Sequence, residues 1–531
     1  MTTPVAPDLT PREVRVVISG LLLVLLLAAL DSTIVSTALP TIVGEFGGLS
    51  RLSWVVTAYL LAQTVVTPLY GKLGDLYGRK GVVQSAIAIF LVGSVLCGFA
   101  RSMEQLIVFR AIQGLGGGGL IVTTQAVVGD IVPARDRGRY QGLFGGVFGL
   151  ASIAGPLIGG YFTTHMTWRW IFFINVPLGF IAVFVLATTM PATVRRVSHS
   201  IDYAGAALLA AALSGIIVAT DLGGVVYPWG SPVIIGLAVI VAASLSLFVL
   251  VESRASEPVL PLRLFRNRTF VISAVVGLIA GIALFGSVTY LPLFLQVVKG
   301  DSPTASGLRM VPMMAGMLIS SIIAGQLISR RGRYRIFPII GTAVTTTGLV
   351  LLSRMTPSTS LTTASVLMMI LGLGLGMVMQ VLILAAQNAV DYGDLGVATS
   401  GATLFRLIGG SVGTAALGAI FAARMNGHLR THLDAAMTPP GAGTGVNLSP
   451  RAIAAMPDAM RDAYANAVTA GLSRIFLVAA AIGLIGFMLI WLLPEEPLRE
   501  TVAARAGDVG EEMGEVFPMP SDTGRENESR G

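Results

Sequence analysis

The chain is poor in the residues that build disulfides and metal sites. It has 531 residues but only one cysteine, Cys97, and four histidines. A single cysteine excludes an intramolecular disulfide framework, and so few scattered ligands give no plausible zinc site. The sequence also lacks a GxxxxGK[ST] nucleotide-binding loop and any catalytic constellation. We therefore expect no enzyme activity, no metal and no bound cofactor.

Charge is scarce as well. Only 12% of the residues are charged, whereas 54% are hydrophobic. A soluble protein of this length needs more charge to cover its surface. The net charge of +7 is a weak argument for a nucleic-acid partner, because the basic residues lie in short segments between apolar runs. We expect a lipid bilayer around the chain and no nucleic acid.

Apolar runs of membrane-spanning length recur along the chain. The first is too long for a cleaved signal peptide and has no evident cleavage site, so it counts as a membrane helix. The sequence predicts fourteen spans: 14–38, 53–71, 82–100, 106–129, 139–163, 168–189, 201–221, 232–252, 270–298, 306–328, 336–353, 361–386, 400–423 and 472–493.

The basic residues orient these spans. They concentrate in alternate short loops, such as 72–80 and 330–335, and the positive-inside rule makes that set of loops cytoplasmic. An even number of spans then places both termini in the cytoplasm. The long segment 424–471, polar and rich in glycine and proline at its centre, falls on the outer side, and the charged tail 494–531 is expected to be disordered.

The most informative motif is GKLGDLYGRKG, residues 71–81, in the loop between the second and third spans. Its glycines permit a tight turn and close helix approach, and its acid and basic residues can form a charge cluster at the membrane face. An ordinary basic loop with turn glycines is the alternative, which the combined order of residues disfavours. The motif group comprises Gly71, Asp75, Gly78, Arg79 and Lys80, with Asp130 at the same face.

This stretch resembles the helix 2–3 signature of the major facilitator superfamily. Over residues 10–495 the chain is similar to the fourteen-helix drug:proton antiporter branch, which contains bacterial multidrug and quaternary-ammonium exporters. The other stretches that carry the resemblance are LDSTIVSTALP (30–40), RAIQGLGGG (110–118), GGVFGLASIAGPLIGG (145–160) and WRWIFFINVPLG (168–179).

The resemblance implies an all-α polytopic membrane fold, in which two six-helix bundles related by a pseudo-two-fold axis alternate access to a central path. Two extra central helices would bring the total to fourteen. The implied division is 1–13, cytoplasmic N-terminus; 14–189, first bundle; 190–255, linking helices; 256–493, second bundle with the outer loop 424–471; and 494–531, tail. The segment GQLISRRGRYR (325–335) is either a degenerate copy of 71–81 or simply a basic loop.

Two further groups of residues follow from the resemblance. Motif residues 71–81 with Asp130 are expected to clamp the cytoplasmic gate. The small residues of the fifth span resemble the antiporter motif, although packing alone would also explain them. That group comprises Gly149, Gly155, Pro156, Gly159 and Gly160.

Asp31 interrupts the first apolar run. A carboxylate in hydrocarbon is costly unless it is paired, solvated or protonated. Asp31 lies about 25 Å along its helix from Val14, and Arg110 lies near the outer end of an antiparallel helix, so the two reach comparable depth. A static neutral pair is one interpretation; we expect instead that Asp31, with Arg110, couples transport to protons.

The predicted function is efflux of lipophilic or cationic drugs by proton antiport, powered by the proton gradient, from a multi-pass protein of the cell membrane that is expected to be monomeric. An exporter of one endogenous metabolite, antibiotic or lipid is the alternative, and an uptake symporter a weaker one. Polar and aromatic residues within the spans are the candidates for a substrate cavity: Tyr59, Gln63, Gln113, Gln125, Asn175, Tyr290, Phe294, Gln380 and Gln387.

Overall fold

The computed structural model describes residues 10–46, 52–190, 202–224, 226–432 and 457–498. Three predicted features therefore lie largely outside the described residues: the N-terminal segment 1–13, the middle of the outer loop 424–471 and the tail 494–531. The beginning of the linking region 190–255 lies outside as well.

Apart from one isolated β-bridge between Gly223 and Tyr227, the secondary structure of the described residues is helical. A helix occupies the position of each predicted span; the sixth and the tenth span are each divided into two helices. The helices are α1 Pro11–Phe46, α2 Leu52–Tyr77, α3 Arg79–Gly98, α4 Met103–Ile131, α5 Ala134–His165, α6 Trp170–Phe173, α7 Asn175–Thr189, α8 Tyr203–Leu222, α9 Pro232–Glu252, α10 Arg268–Leu293, α11 Pro303–Arg309, α12 Val311–Arg331, α13 Ile336–Leu352, α14 Leu361–Asn388, α15 Leu395–His432 and α16 Asp458–Ile490.

Twelve helical segments among the described residues are long and apolar enough to cross a membrane. Neither the shorter α13 nor α2 is among these twelve. The structure therefore supports an all-helical membrane protein with twelve to fourteen membrane helices, and the count of fourteen stays a prediction.

Several helices extend well beyond the predicted spans. Helix α1 continues past residue 38 to Phe46, α15 continues to His432, and α16 begins at Asp458 rather than near 472. The hydropathy pattern marks only the part of a helix that suits hydrocarbon. A helix satisfies its own backbone hydrogen bonds, so it can continue with polar residues into water.

Small residues let the helices of each half pack closely. In the first half, α1–α7, a side chain at Gly116 of α4 would meet the backbone of Phe90 in α3. In the second half, α10–α16, Gly372 of α14 lies equally close to the backbone of Met313 in α12. Each half buries its own apolar core around such contacts. This is the packing expected where lipid provides little hydrophobic drive for helix association.

Helices α8 and α9 lie beside the junction of the halves. Thr57 of α2 donates a hydrogen bond to Asp221 of α8 at 3.2 Å, and Thr220 of α8 lies 3.3 Å from Ser411 of α15 through their hydroxyl oxygens. Helix α9 packs mainly on α8 and leaves most of its large apolar side chains exposed. The pair therefore lies against both halves while presenting an apolar surface suited to lipid.

Candidate functional site

Asp31 and Arg110 form a buried ion pair within the first half. Arg110 Nη1 donates to Asp31 Oδ2 at 2.7 Å, and both residues are essentially unexposed. The other carboxylate oxygen accepts hydrogen bonds from Gln113 Nε2 at 2.8 Å and Asn175 Nδ2 at 3.1 Å. Helices α1, α4 and α7 thus bring four polar residues together at one depth.

The donors around Asp31 are held by further contacts. Arg110 Nη1 also donates to Gln113 Oε1 at 2.9 Å, and the guanidinium lies 4.1 Å from the ring centroid of Tyr59. Asn175 Nδ2 donates to Ser94 Oγ at 3.0 Å, and Ser94 Oγ donates in turn to the carbonyl of Phe172. The carboxylate therefore sits in a preorganised, dehydrated set of donors.

This arrangement decides what Asp31 can do in the state described. Three donors, one of them the guanidinium of Arg110, already occupy the carboxylate, and no exposed surface remains for a ligand to touch. A proton or a cationic compound can reach it only if α1, α4 and α7 shift. The structure confirms the pairing inferred from depth, while the proton-coupling role stays a prediction.

A second charge cluster lies at the inner face, which we define as the face carrying the start of α1 and the end of α16. Arg79 is 4% exposed. It forms an ion pair with Asp75, donates from Nε to Asp130 Oδ2 at 2.9 Å and from Nη1 to the carbonyl of Gly71 at 3.4 Å. The motif residues and Asp130 are therefore one cluster, as the sequence motif predicts.

Asp75 extends this cluster to the other half of the molecule. Its two carboxylate oxygens accept hydrogen bonds from the backbone N–H groups of Gly396 at 3.1 Å and Val397 at 3.0 Å. These groups open α15, where unpaired N–H donors and the helix dipole favour an anion. The contact joins the two halves and closes the inner face at α2 and α15.

The remaining motif residues shape the turn between α2 and α3. Gly78 has a φ of 91°, a conformation that side chains other than glycine rarely adopt. Lys80 donates to the carbonyls of Ala187 and Met190 at 2.7 Å each, and so caps the end of α7. A side chain at Gly71 would collide with the carbonyl of Gly396, which explains the glycine there.

The segment 325–335 makes the equivalent contact on the opposite side, which favours the degenerate copy over a simple basic loop. In the register that aligns Gly71 with Gly325, Gly78 aligns with Gly332, which has a φ of 69°. Gly325 abuts the backbone of Gly138 in α5.

In the segment 325–335 the acidic residue of the polar contact lies not on α12 but on its neighbour α5. Ser329, the counterpart of Asp75, donates to Asp136 Oδ1 at 2.9 Å, and its carbonyl accepts from Arg135 at 3.2 Å. The acid thus comes from α5, where Asp136 lies in the first turn. Sequence reasoning missed this partner and the backbone donors of α15; the shared glycine register was the available signal.

The small residues of α5 face two different neighbours. A side chain at Gly155 would collide with Thr33 of α1, while Gly149 faces Met314 and Leu318 of α12. Pro156 lies inside α5, Gly159 is buried, and Gly160 has open space around its missing side chain. The group therefore lies in close packing, except at Gly160; its use in antiport stays a prediction.

The cavity candidates divide into three locations. Tyr59, Gln113 and Asn175 surround Asp31, as described above. Tyr290, which donates to the carbonyl of Thr414 at 3.0 Å, and Phe294 belong to the core of the second half.

The others lie where the halves meet or in α2. Gln387 of α14 donates to the carbonyl of Gln125 in α4 at 3.3 Å and to Thr399 Oγ1 of α15 at 2.8 Å. Gln380 carries a buried carbonyl oxygen with no partner among the described residues, and Gln63 is a buried residue of α2. Gln125 and Gln387 thus lie at the contact between the halves, and Gln380 is a buried residue of α14.

The WRW stretch anchors the outer end of the first half. Arg169 Nη2 and Trp168 Nε1 donate to the carboxylate of Glu45, near the end of α1, at 2.8 and 2.6 Å. These hydrogen bonds, that from Arg169 first, hold the pKa of Glu45 below its usual range. The aromatic and basic residues at 168–169 therefore fasten α1 to the segment before α6.

Comparison with known proteins agrees with this architecture. Residues 21–414 match the family described as Major Facilitator Superfamily. The uncharacterized MFS-type transporter Rv1877 of Mycobacterium tuberculosis is 42% identical, with an alignment covering 97% of this chain and 74% of the relative. The multidrug transporter protein MdtP of Bacillus subtilis is also 42% identical, over 78% of this chain and 76% of its own.

A solved structure is similar in fold. The human organic anion transporter MFSD10 (TETRAN) aligns with a TM-score of 0.60 at 16% identity, covering 91% of this chain and all of that one. At this identity the likeness concerns the fold alone.

Proposed function

The chain belongs to the Major Facilitator Superfamily, and from that premise we propose that it exports lipophilic or cationic compounds in exchange for protons. It is a transporter and not an enzyme. The proposal includes fourteen membrane crossings, a place in the cell membrane and both termini in the cytoplasm. The name of the MdtP relative, a multidrug transporter, supports efflux.

The buried Asp31 network is the observation that carries the proton-exchange part. Asp31 has two alternative ways to be accommodated in the membrane interior: as a carboxylate with Arg110, Gln113 and Asn175, or as a protonated acid when these donors move away. A group with two such states can take up a proton on one side and release it on the other. Alternating access also needs a contact between the halves that breaks when the path opens inward. The hydrogen bonds from Gly396 and Val397 to Asp75, which pairs with Arg79, supply such a contact.

Proton movement in inverted membrane vesicles tests this function. Vesicles containing the protein are energised to an acid interior and given a panel of lipophilic compounds, ethidium and tetraphenylphosphonium among them. Antiport drives compounds inward and protons outward, so we expect a rise in interior pH upon addition of a substrate, absent from vesicles without the protein. No proton movement with any compound contradicts drug:proton antiport, and proton movement in the same direction as the compound indicates symport.

A further inference from the structure

Arg406 stands apart from the three buried arginines Arg79, Arg110 and Arg137 of the membrane helices. Arg110 pairs with Asp31, Arg79 pairs with Asp75 and Asp130, and Arg137 donates to the carbonyls of Val132 and Gly129. Arg406, within α15, has neither a hydrogen-bond partner nor an ion-pair partner among the described residues. An unpaired guanidinium inside a membrane is costly and stays charged, which points to a functional demand for it.

Arg406 lies within the predicted membrane span of α15. It follows residue 400, where that span begins, by six residues, a rise of about 9 Å into a membrane core of about 30 Å. The carbonyl of Arg406 lies directly against Gly281 of α10, so this part of α15 is packed inside the second half.

The face of α15 that carries Arg406 also faces the contact between the halves. Thr399 lies seven residues earlier, which is two helical turns and hence the same face. Thr399 accepts the hydrogen bond from Gln387 of α14, whose amide also bonds the carbonyl of Gln125 in the first half. Arg406 is therefore about 10 Å farther outward than this central contact. Arg406 is partly exposed there.

Gln380 reaches the same level from α14. It precedes Gln387 by seven residues in a helix that runs toward the inner face, so it too lies two turns outward of the central contact. The side-chain oxygen of Gln380 and the hydroxyl of Thr403, one turn below Arg406, are buried and lack partners among the described residues. A charged donor and a hydroxyl with unused hydrogen-bonding capacity thus lie one turn apart on α15, and the unpartnered side-chain oxygen of Gln380 is at the same depth on α14.

We propose that Arg406, with the hydroxyl of Thr403, binds the negatively charged group of a transported amphiphile, such as a carboxylate. This names a substrate class for the proposed export function and rests on it. A guanidinium suits a carboxylate because it offers paired donors in one plane. An anionic or zwitterionic substrate would neutralise the charge that the fold leaves unpaired. Asp31 is already occupied by three donors and has no exposed surface, so in the state described it is not free to attract a cation.

Two dyes that differ in one carboxylate test the proposal. Rhodamine 110 carries a free carboxylate, and rhodamine 123 is its methyl ester. Binding of each dye to the purified full chain is measured by fluorescence anisotropy, for the native protein, Arg406→Gln and Arg406→Lys. We expect Arg406→Gln to weaken binding of rhodamine 110 by about tenfold or more and to leave rhodamine 123 within about twofold, whereas Arg406→Lys retains part of the preference for the acid.

The ester is the internal control for misfolding. Equal loss of both dyes in Arg406→Gln would show a structural role for the residue, and unchanged affinity for rhodamine 110, including no binding by the native chain, would overturn the anion site. The binding assay needs no proton gradient. A carboxylate preference that depends on Arg406 therefore supports the site even if inverted vesicles show no antiport, and the two proposals fail separately.

Discussion

At the scale of single residues, the buried charges separate into satisfied and unsatisfied ones. Asp31 and Arg110 neutralise one another within a network of amides. Removing one partner of such a pair costs about 3–5 kcal/mol, because the other charge is left buried alone. Loss of activity after one substitution therefore does not tell a static pair from a proton carrier.

A double variant makes that distinction. Asp31→Asn alone is expected to lower thermal stability and abolish antiport, and Asp31→Asn combined with Arg110→Gln is expected to recover stability because no charge remains buried. If Asp31 carries the proton, the double variant still shows no compound-driven proton release from energised inverted vesicles. Recovery of both stability and proton release would establish a static pair. Asp221→Asn, which removes an acid from α8, is the matched control and should retain antiport.

The pairing of Asp31 with Arg110 could be predicted from depth, but its other partners could not. Depth along a helix follows from counting residues, whereas the rotation of α4 and α7 that aims Gln113 and Asn175 at Asp31 depends on packing. For the same reason, the polar or aromatic character of the cavity candidates did not predict which of them lie together, and the structure places them in different locations. The amides of Gly396 and Val397 carry no side-chain signal, so their role as donors could emerge only from the structure.

At the scale of secondary-structure elements, close contact of glycine backbones holds the halves together at the inner face. A Cβ atom at Gly325 would collide with the carbonyl oxygen of Gly138, so α5 and α12 are in backbone contact there. Hydropathy placed these helices correctly. It could not indicate which glycines face a partner, because α5 contains eight glycines and hydropathy does not distinguish among them.

An alanine at Gly325 should force α5 and α12 apart. Overpacking of this kind costs about 1–3 kcal/mol, and here the neighbouring atoms are backbone that cannot turn away. We expect Gly325→Ala to lower the melting temperature of the purified protein. Gly160→Ala is the control on α5, since its added methyl group would meet open space. Equal melting temperatures for the two variants would show that the contact at Gly325 is not tight in solution.

At the scale of the whole molecule, the inner face is closed by two related contacts. At one, Asp75 of α2 bonds the first N–H groups of α15; at the other, Ser329 of α12 bonds Asp136 in the first turn of α5. The repeat was visible in the sequence only as a shared spacing of glycines and basic residues. In the second contact the acidic residue, Asp136, lies on α5 instead of α12, and a comparison of segments 71–81 and 325–335 alone does not reveal this. The two contacts occupy equivalent positions, but in the first the carboxylate of Asp75 bonds backbone N–H groups and Arg79, whereas in the second a neutral serine bonds Asp136. We therefore expect the contact of Asp75 to control the opening of the inner face.

Asp75→Asn should shift the molecule toward an open inner face. The substitution removes the charge that caps α15 and pairs with Arg79, and loss of a helix cap costs about 0.5–2 kcal/mol, which changes the ratio of open to closed molecules by about 2- to 30-fold. Nitroxide labels on cysteines introduced at Gly81 and Ile336, two exposed positions in opposite halves, report the opening as longer distances in pulsed electron paramagnetic resonance. The one native cysteine, Cys97, is buried and should not react.

Lys72→Gln is the matched control for this measurement. Lys72 and Glu257 form an ion pair of 3.8 Å at the same face, with both side chains partly exposed, and such pairs contribute about 0–1 kcal/mol. The control should therefore keep the native distance distribution. If Asp75→Asn also keeps it, the inner closure does not depend on the Asp75 charge, and the backbone contacts of Gly71 and Gly325 would have to hold the halves together by themselves. If only Asp75→Asn broadens it, the helix-capping carboxylate is the element that sets the balance between the two states.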